Sequence, residues 1–168
     1  KTLIHDIEDY DLPMFGAFHN CAAIKIRKAY PLQGRRVMHS VWGAGQMAWT
    51  KTIFVVDDDV DVHDTRAVLR AAVEHCHPRR DIETVNGPLD ILDHAAPRLG
   101  AGMKIGFDCT RKIAGEEVGG VRVPRPGEID PAQSGVVGGL ASVILGDVRS
   151  LPGVVGAYKG AGEVPFGA

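Results

Sequence analysis

The run Thr52-Ile53-Phe54-Val55-Val56 offers almost nothing polar, and it empties into Asp57-Asp58-Asp59-Val60-Asp61-Val62-His63-Asp64. A strand with one wet face alternates polar and apolar residues. An unbroken β-branched and aromatic run therefore predicts a strand covered on both faces, as in a parallel sheet. Asp61 or Asp64 can cap a following helix whose apolar face is Val68, Leu69, Ala72, Val73 and Cys76, and Pro78 ends it. Strand, acidic loop and helix confine the chain to the α/β class. They also put the acids at the carboxyl end of a parallel strand, where such folds place ligands, contacts or interfaces.

The flanking sequence extends this pattern. Phe15 to Ile26 is apolar and reads as a strand, half exposed where Ile24 and Ile26 alternate with Lys25 and Arg27. Pro31 suits a first helical position, and Val37, Met38, Val41 and Trp42 recur on one helical face until Gly43-Ala44-Gly45. Gly34 weakens that helix by about 1 kcal/mol relative to Ala. Ile82 to Val85 reads as a short strand, Asn86-Gly87-Pro88 as a turn and Met103 to Phe107 as a further strand, giving a βαβαβ layered domain with a mostly parallel sheet. Beyond Thr110, Gly115, Gly119, Gly120, Pro124, Pro126 and Pro131 mark an extended arm. Asp130-Pro131 there opens a helix over about 131–148 that the glycines leave dependent on a packing partner.

With 168 residues and a net charge of -2 from 19 basic and 21 acidic side chains, the chain carries no electrostatic footprint for nucleic acid. Cys21, Cys76 and Cys109 lack CxxC spacing and fit reduced thiols, so a cytoplasmic protein is expected. No stretch approaches the roughly 18–20 apolar residues of a membrane span. The opening Lys1-Thr2-Leu3-Ile4 reads as interior sequence, so a longer polypeptide is expected.

Several local motifs have bland readings that outweigh the sharp ones. Val55-Val56-Asp57-Asp58-Asp59, with Asp108 and Lys159, resembles a phosphorelay receiver, but some 50 residues precede the supposed first strand and Lys159 lies in a Gly-rich tail. Asp57, Asp59 and Asp61 begin like a calcium loop, yet Val62 and Val68 occupy its required Gly and Glu positions. Gly43-Ala44-Gly45-Gln46-Met47-Ala48 matches GxGxxA but closes a helix instead of opening one. His75 and His77 lack metal spacing and read as surface residues, while His19 reads as a satisfied histidine within a strand. No catalytic triad has local support, so no catalytic residue is assigned.

Together the strings are more specific. Gly16-Ala17-Phe18-His19-Asn20-Cys21-Ala22-Ala23-Ile24-Lys25-Ile26-Arg27-Lys28-Ala29-Tyr30-Pro31, Arg36-Val37-Met38-His39, Trp42-Gly43-Ala44-Gly45-Gln46-Met47 and Thr50-Lys51 resemble the later part of the UbiD-type decarboxylases, the 3-polyprenyl-4-hydroxybenzoate carboxy-lyase-like enzymes. So do Val56-Asp57-Asp58-Asp59-Val60-Asp61-Val62-His63-Asp64, Pro78-Arg79-Arg80-Asp81, Gly87-Pro88-Leu89-Asp90-Ile91-Leu92-Asp93-His94-Ala95 and Lys104-Ile105-Gly106-Phe107-Asp108-Cys109-Thr110-Arg111-Lys112. The likeness runs in one order over about residues 1–117.

The resemblance implies a lyase acting on aromatic or α,β-unsaturated acids through prenylated FMN, with a divalent metal (Mn or Mg) and K⁺ at the cofactor phosphate. It places that cofactor, and a Glu-Arg-Glu set, in a preceding flavin-binding domain, so none is expected for this chain alone. Residues 1–30 would then finish that region, 31–117 form an α/β domain for assembly and active-site closure, and 118–168 form the arm. The implied partners are the flavin-binding domain, further copies in a dimer or hexamer, and a small aromatic or unsaturated acid. Carried over by position, Gln46, Met47, Trp49, Asn86, Pro88 and Leu89 would line the substrate pocket. The family's basic residue for the cofactor phosphate is missing from Gly43 to Thr50, which leaves Lys51 or Arg35 as substitutes. For Asp57 to Asp64 the reading is structural: helix capping, and pairing with Arg79, Arg80 or Arg111. The competing function is a stand-alone binding or signalling module of receiver type.

Overall fold

The computed structural model describes residues 4–117; the arm and its expected helix over 131–148 lie outside them. Five strands form one sheet in the order β1-β2-β3-β5-β4. They are β1 (Ile7–Asp11), β2 (Cys21–Ile26), β3 (Thr52–Asp57), β4 (Ile82–Pro88) and β5 (Ala101–Asp108), with helices α1 (Gln33–Trp42) and α2 (Thr65–His75). β2, β3 and β5 are mutually parallel, and β1 and β4 close the two edges antiparallel. The sheet is therefore mostly parallel, as expected.

The unbroken apolar run is explained by the position of β3. Ile53 and Val55 face α1 together with Ala22, Ile24 and Ile26, and meet Val37, Met38 and Val41. Phe54 and Val56 face α2 with Ala23 and Phe107, against Val68, Ala71, Ala72 and Cys76. Phe54 and Phe107 stack with ring centroids 4.9 Å apart. Asp64 caps α2, its side chain accepting from the Arg66 N–H.

Four expectations need correction. The strand predicted from Phe15 begins only at Cys21: residues Met14–Gly16 make a 3₁₀ turn, and Ala17 and Phe18 take φ of 49° and 65°. Gly16 permits this, because a Cβ there would lie 2.4 Å from Cys21 Cβ, so the turn folds tightly onto the strand. His19 accordingly sits in the turn, and its buried Nε2 has no hydrogen-bond partner. Asn86-Gly87-Pro88 is the end of β4, paired with Met103, Gly102 and Ala101; an edge strand tolerates the missing proline N–H. His77 is 3% exposed instead of lying on the surface, with its N–H donating to Asp81 Oδ2 at 2.6 Å.

Candidate functional site at the amino-terminal edge of the sheet

The carboxyl edge of the parallel strands, where the acids cluster, is already filled by its own counter-charges. Asp57 accepts from the Arg111 N–H at 2.8 Å, Arg111 also pairs with Asp59, and Arg27 pairs with Asp58 at 3.0 Å. Arg111 is thus the expected partner, whereas Arg80 turns to Asp81 at 2.9 Å. Behind them lies a buried ionic layer: Lys112 to Asp108 at 3.1 Å, Lys28 to Glu116 at 2.6 Å, and Lys28 to Thr110 Oγ1 at 2.8 Å. Burial raises the pKa of Asp57 against the opposing pull of Arg111. Burial acts the same way on Asp108, but Lys112, Lys28 and Thr110 more than offset it and hold that carboxyl below the ordinary range. With each acid of this layer committed to a cation or an N–H, the edge acts as a structural clasp. It leaves Asp57 and Asp108 tied to Arg111, Lys112 and Thr110, against the receiver reading.

The opposite edge has a different character. α1 ends at Gly43, and Gly45, with φ +51°, starts a 3₁₀ turn over Gly45–Trp49. The Trp42 indole donates to Thr50 O at 3.1 Å, and Thr50 N–H donates to Met47 O at 3.1 Å, so the turn is anchored at its far end. It leaves Gln46 exposed, Trp49 41% exposed, and Met47 packed against the α1-side core. Lys51, just before β3, reaches Asp93 Oδ2 at 2.6 Å. Burial disfavours the Asp93 carboxylate, yet Lys51 and the Ala95 N–H keep its pKa below the usual value.

Asp93 and Asp90 lie on the loop that leaves β4, and His19 Nε2 is 4.0 Å from Asp90 Oδ1. Asp90 and Asp93 each accept a backbone N–H two residues on, from Leu92 at 2.9 Å and Ala95 at 3.1 Å. Among the described residues, His19 Nε2, Asn20 Oδ1 and Asp93 Oδ2 are the buried side-chain atoms lacking a well-aligned hydrogen bond. For Asp93 Oδ2 the close Lys51 ammonium supplies the compensation. All three belong to this one edge.

Gln46, Met47, Trp49, Lys51 and Leu89 are thus gathered at the amino edge, with Leu89 fully buried and its N–H bonded to Gly100 O at 2.9 Å. Of the other sequence-derived residues, Asn86 and Pro88 stand where β4 ends at this same edge but on the other face of the sheet, and Arg35 is remote from it. The alternation of β4 sends exposed Asn86 and Pro88 to the face opposite Gly87, which looks toward Lys104. Arg35 lies at the other end of the sheet, donating to Arg80 O at 2.5 Å and pairing with Glu83 at 3.3 Å. Asp90, Asp93 and Lys104 were not anticipated. The Asp90/Asp93 spacing, each acid two residues before a backbone donor, was the available signal for paired Asx turns.

The comparisons agree with this architecture. The sequence profile of the 3-octaprenyl-4-hydroxybenzoate carboxy-lyase C-terminal domain matches residues 1–109. The chain belongs to the UbiD family, through that C-terminal domain. It is 44% identical over 108 residues to an uncharacterized protein of Archaeoglobus fulgidus, covering 64% of this chain and 22% of that one. It is 41% identical over 132 residues to one of Aeropyrum pernix, covering 78% of this chain and 27% of the relative. Two solved structures share the fold. The UbiD-class enzyme HmfF of Pelotomaculum thermopropionicum, in complex with FMN, has TM-score 0.60 at 23% identity, over 75% of this chain and 28% of that one. The closed form of Sedimentibacter hydroxybenzoicus vanillic acid decarboxylase has TM-score 0.64 at 21% identity, over 71% and 25%. The chain therefore spans about a quarter of the length of its relatives. No helix among the described residues is long and apolar enough to cross a membrane.

Proposed function

We propose that this chain is the assembly and active-site-closing domain of a decarboxylase that acts on aromatic or α,β-unsaturated acids through prenylated FMN, and that it is inactive alone. The observation that carries this reading is the amino edge. There the exposed turn residues Gln46 and Trp49, Lys51 and the unpartnered atoms of His19 and Asn20 adjoin loops bearing Phe18, Ile91, Leu92 and Leu99, exposed at 62%, 70%, 59% and 87%. Apolar side chains this exposed, beside buried polar groups awaiting partners, suit a surface that another domain covers.

The preceding flavin-binding domain is the occupant we assign. The cofactor, when bound, supplies the electron sink for breaking the carbon–carboxylate bond. Lys51 supplies a cation for a phosphate oxygen, provided that Asp93 releases it, whereas Arg35 serves the clasp at the other edge. The Mn or Mg ion and K⁺ go with the cofactor phosphate on that other domain in this reading. Met47, Trp49 and Leu89 would wall the substrate, and closure of this edge would exclude water from it.

The test is decarboxylation of a panel of aromatic acids by the full-length polypeptide loaded with prenylated FMN, beside the present chain alone. The full-length protein should release CO₂ and the chain should not, and Trp49→Ala with Lys51→Ala should lower kcat/KM at least about tenfold, the loss of one charge-assisted contact. Turnover by the chain alone, or full-length variants as active as the parent, would defeat the proposal.

A further inference from the structure

Lys104 has the least expected environment in the domain. It is 2% exposed, its ammonium donates to the carbonyl of Ala48, and among the described residues no carboxylate lies within ion-pair distance of it. Among the described residues, the two other lysines with buried side chains each have an acid: Lys28 has Glu116 and Lys112 has Asp108. Burial with no compensating charge lowers the pKa of Lys104. A charge left so is unfavourable, and an apolar side chain of the same length would fill the space without that cost.

The surroundings are shaped for the lysine stem. Lys104 shares a face of β5 with Gly102 and Gly106, and its stem runs across Gly87 on β4, where a Cβ would stand 3.2 Å from Lys104 Cε. Val85 is the residue paired opposite it. The slot ends at the back of the turn Gly45–Trp49, whose front carries Gln46 and Trp49. That turn has no titratable side chain, and the nearby cation at the start of β3, Lys51, is engaged by Asp93.

We propose that Lys104 is the positioning residue of the Gly45–Trp49 turn: its ammonium, held through the Gly87 slot, pins the Ala48 carbonyl and so sets where Gln46, Met47 and Trp49 stand. The consequence for substrate rests on the proposed function, but the pinning itself does not, and it can be measured without turnover. Amide hydrogen exchange on the present chain should show turn residues 45–50 exchanging about ten- to a hundredfold faster in Lys104→Met, as loss of a charge-assisted bond predicts, with β2 and β3 unchanged. Gly87→Ala keeps the charge but crowds the stem, and should loosen the same amides. After correction for intrinsic exchange, protection of the turn in the parent should fall as pH rises through the lowered titration of Lys104, and should not vary in Lys104→Met. A turn that stays protected in both variants overturns the assignment, as does a Lys104→Met chain whose core loosens together with the turn. Failure of the decarboxylase reading would leave all of these exchange results untouched.

Discussion

Removing the charge of Glu116 gives the sharpest check on how the carboxyl edge is built. Its carboxylate is 1% exposed and takes three partners: Lys28 Nζ at 2.6 Å, the Leu32 N–H at 2.9 Å and the Ile113 N–H at 2.7 Å. Lys28 is itself 5% exposed, so the variant Glu116→Gln leaves a buried ammonium bonded to Thr110 Oγ1 and the Arg111 carbonyl but with no carboxylate in direct contact. Breaking one side of a buried pair costs about 3–5 kcal/mol. For a chain of this size that lowers Tm by roughly 6–20 °C. Lys28→Met should cost somewhat less, because Glu116 keeps its two backbone donors. In the double variant neither charge remains, and the combined loss should fall short of the sum of the singles by about 2 kcal/mol. Urea denaturation of all four proteins, followed by circular dichroism, measures this cycle directly. Additive single effects, or a Glu116→Gln cost under about 1 kcal/mol, would refute the claim that the pair is a coupled buried unit.

Three further outcomes are expected. Gly34→Ala should destabilise by about 1–3 kcal/mol in urea, the opposite of the usual gain from replacing a helical glycine, because its Cβ would fall 2.4 Å from Asp108 Oδ2. A stabilised Gly34→Ala would mean that the clasp can move aside. His63 should titrate above its unfolded value, since its ring lies 3.3 Å from both Asp11 and Asp9 and Asp11 dominates the upward shift. Its stabilising effect is then complete below the unfolded pKa and disappears as pH rises through the folded one, so an NMR titration giving an unshifted His63 would contradict the bridge. Burial, with help from Asp11, raises the Cys21 thiol to about 12, and burial raises Cys109 as well. A disulfide reagent at neutral pH should therefore leave both unmodified until the chain unfolds, and fast labelling of the native protein would show that the core opens.

Some of these features could be read from residues alone, and others not. The β3 run and the α2 face were legible because each signal is periodic and local: a gap-free apolar run, and apolar residues three and four apart. The α1 face was legible for the same reason, although Pro31 precedes the helix, which starts at Gln33. The turn before β2 was illegible, because Ala17 and Phe18 carry no turn chemistry and take left-handed φ only where Gly16 packs on Cys21. β5 reads backwards. Its apolar Met103 is 50% exposed while Lys104 is buried, since the face toward α1 is occupied by Gly102 and Gly106. The Asn86-Gly87-Pro88 string looks like a turn in isolation and becomes strand because β5 supplies a partner.

By itself, the sequence determined the class of fold, the order of the elements from β2 to β5 though neither their exact limits nor the edge strand β1, and a family likeness that the C-terminal domain match over residues 1–109 supports. These follow from short-range rules, periodicity and capping, and from long ordered strings. Only the tertiary structure decided which side chains meet. It committed Asp57 and Asp59 to Arg111, divided Lys51 from Arg35 by the length of the sheet, and set Lys104 beneath the turn that carries Gln46 and Trp49. Those choices depend on strand register and on which face each residue takes, and a one-residue change of register would reverse them.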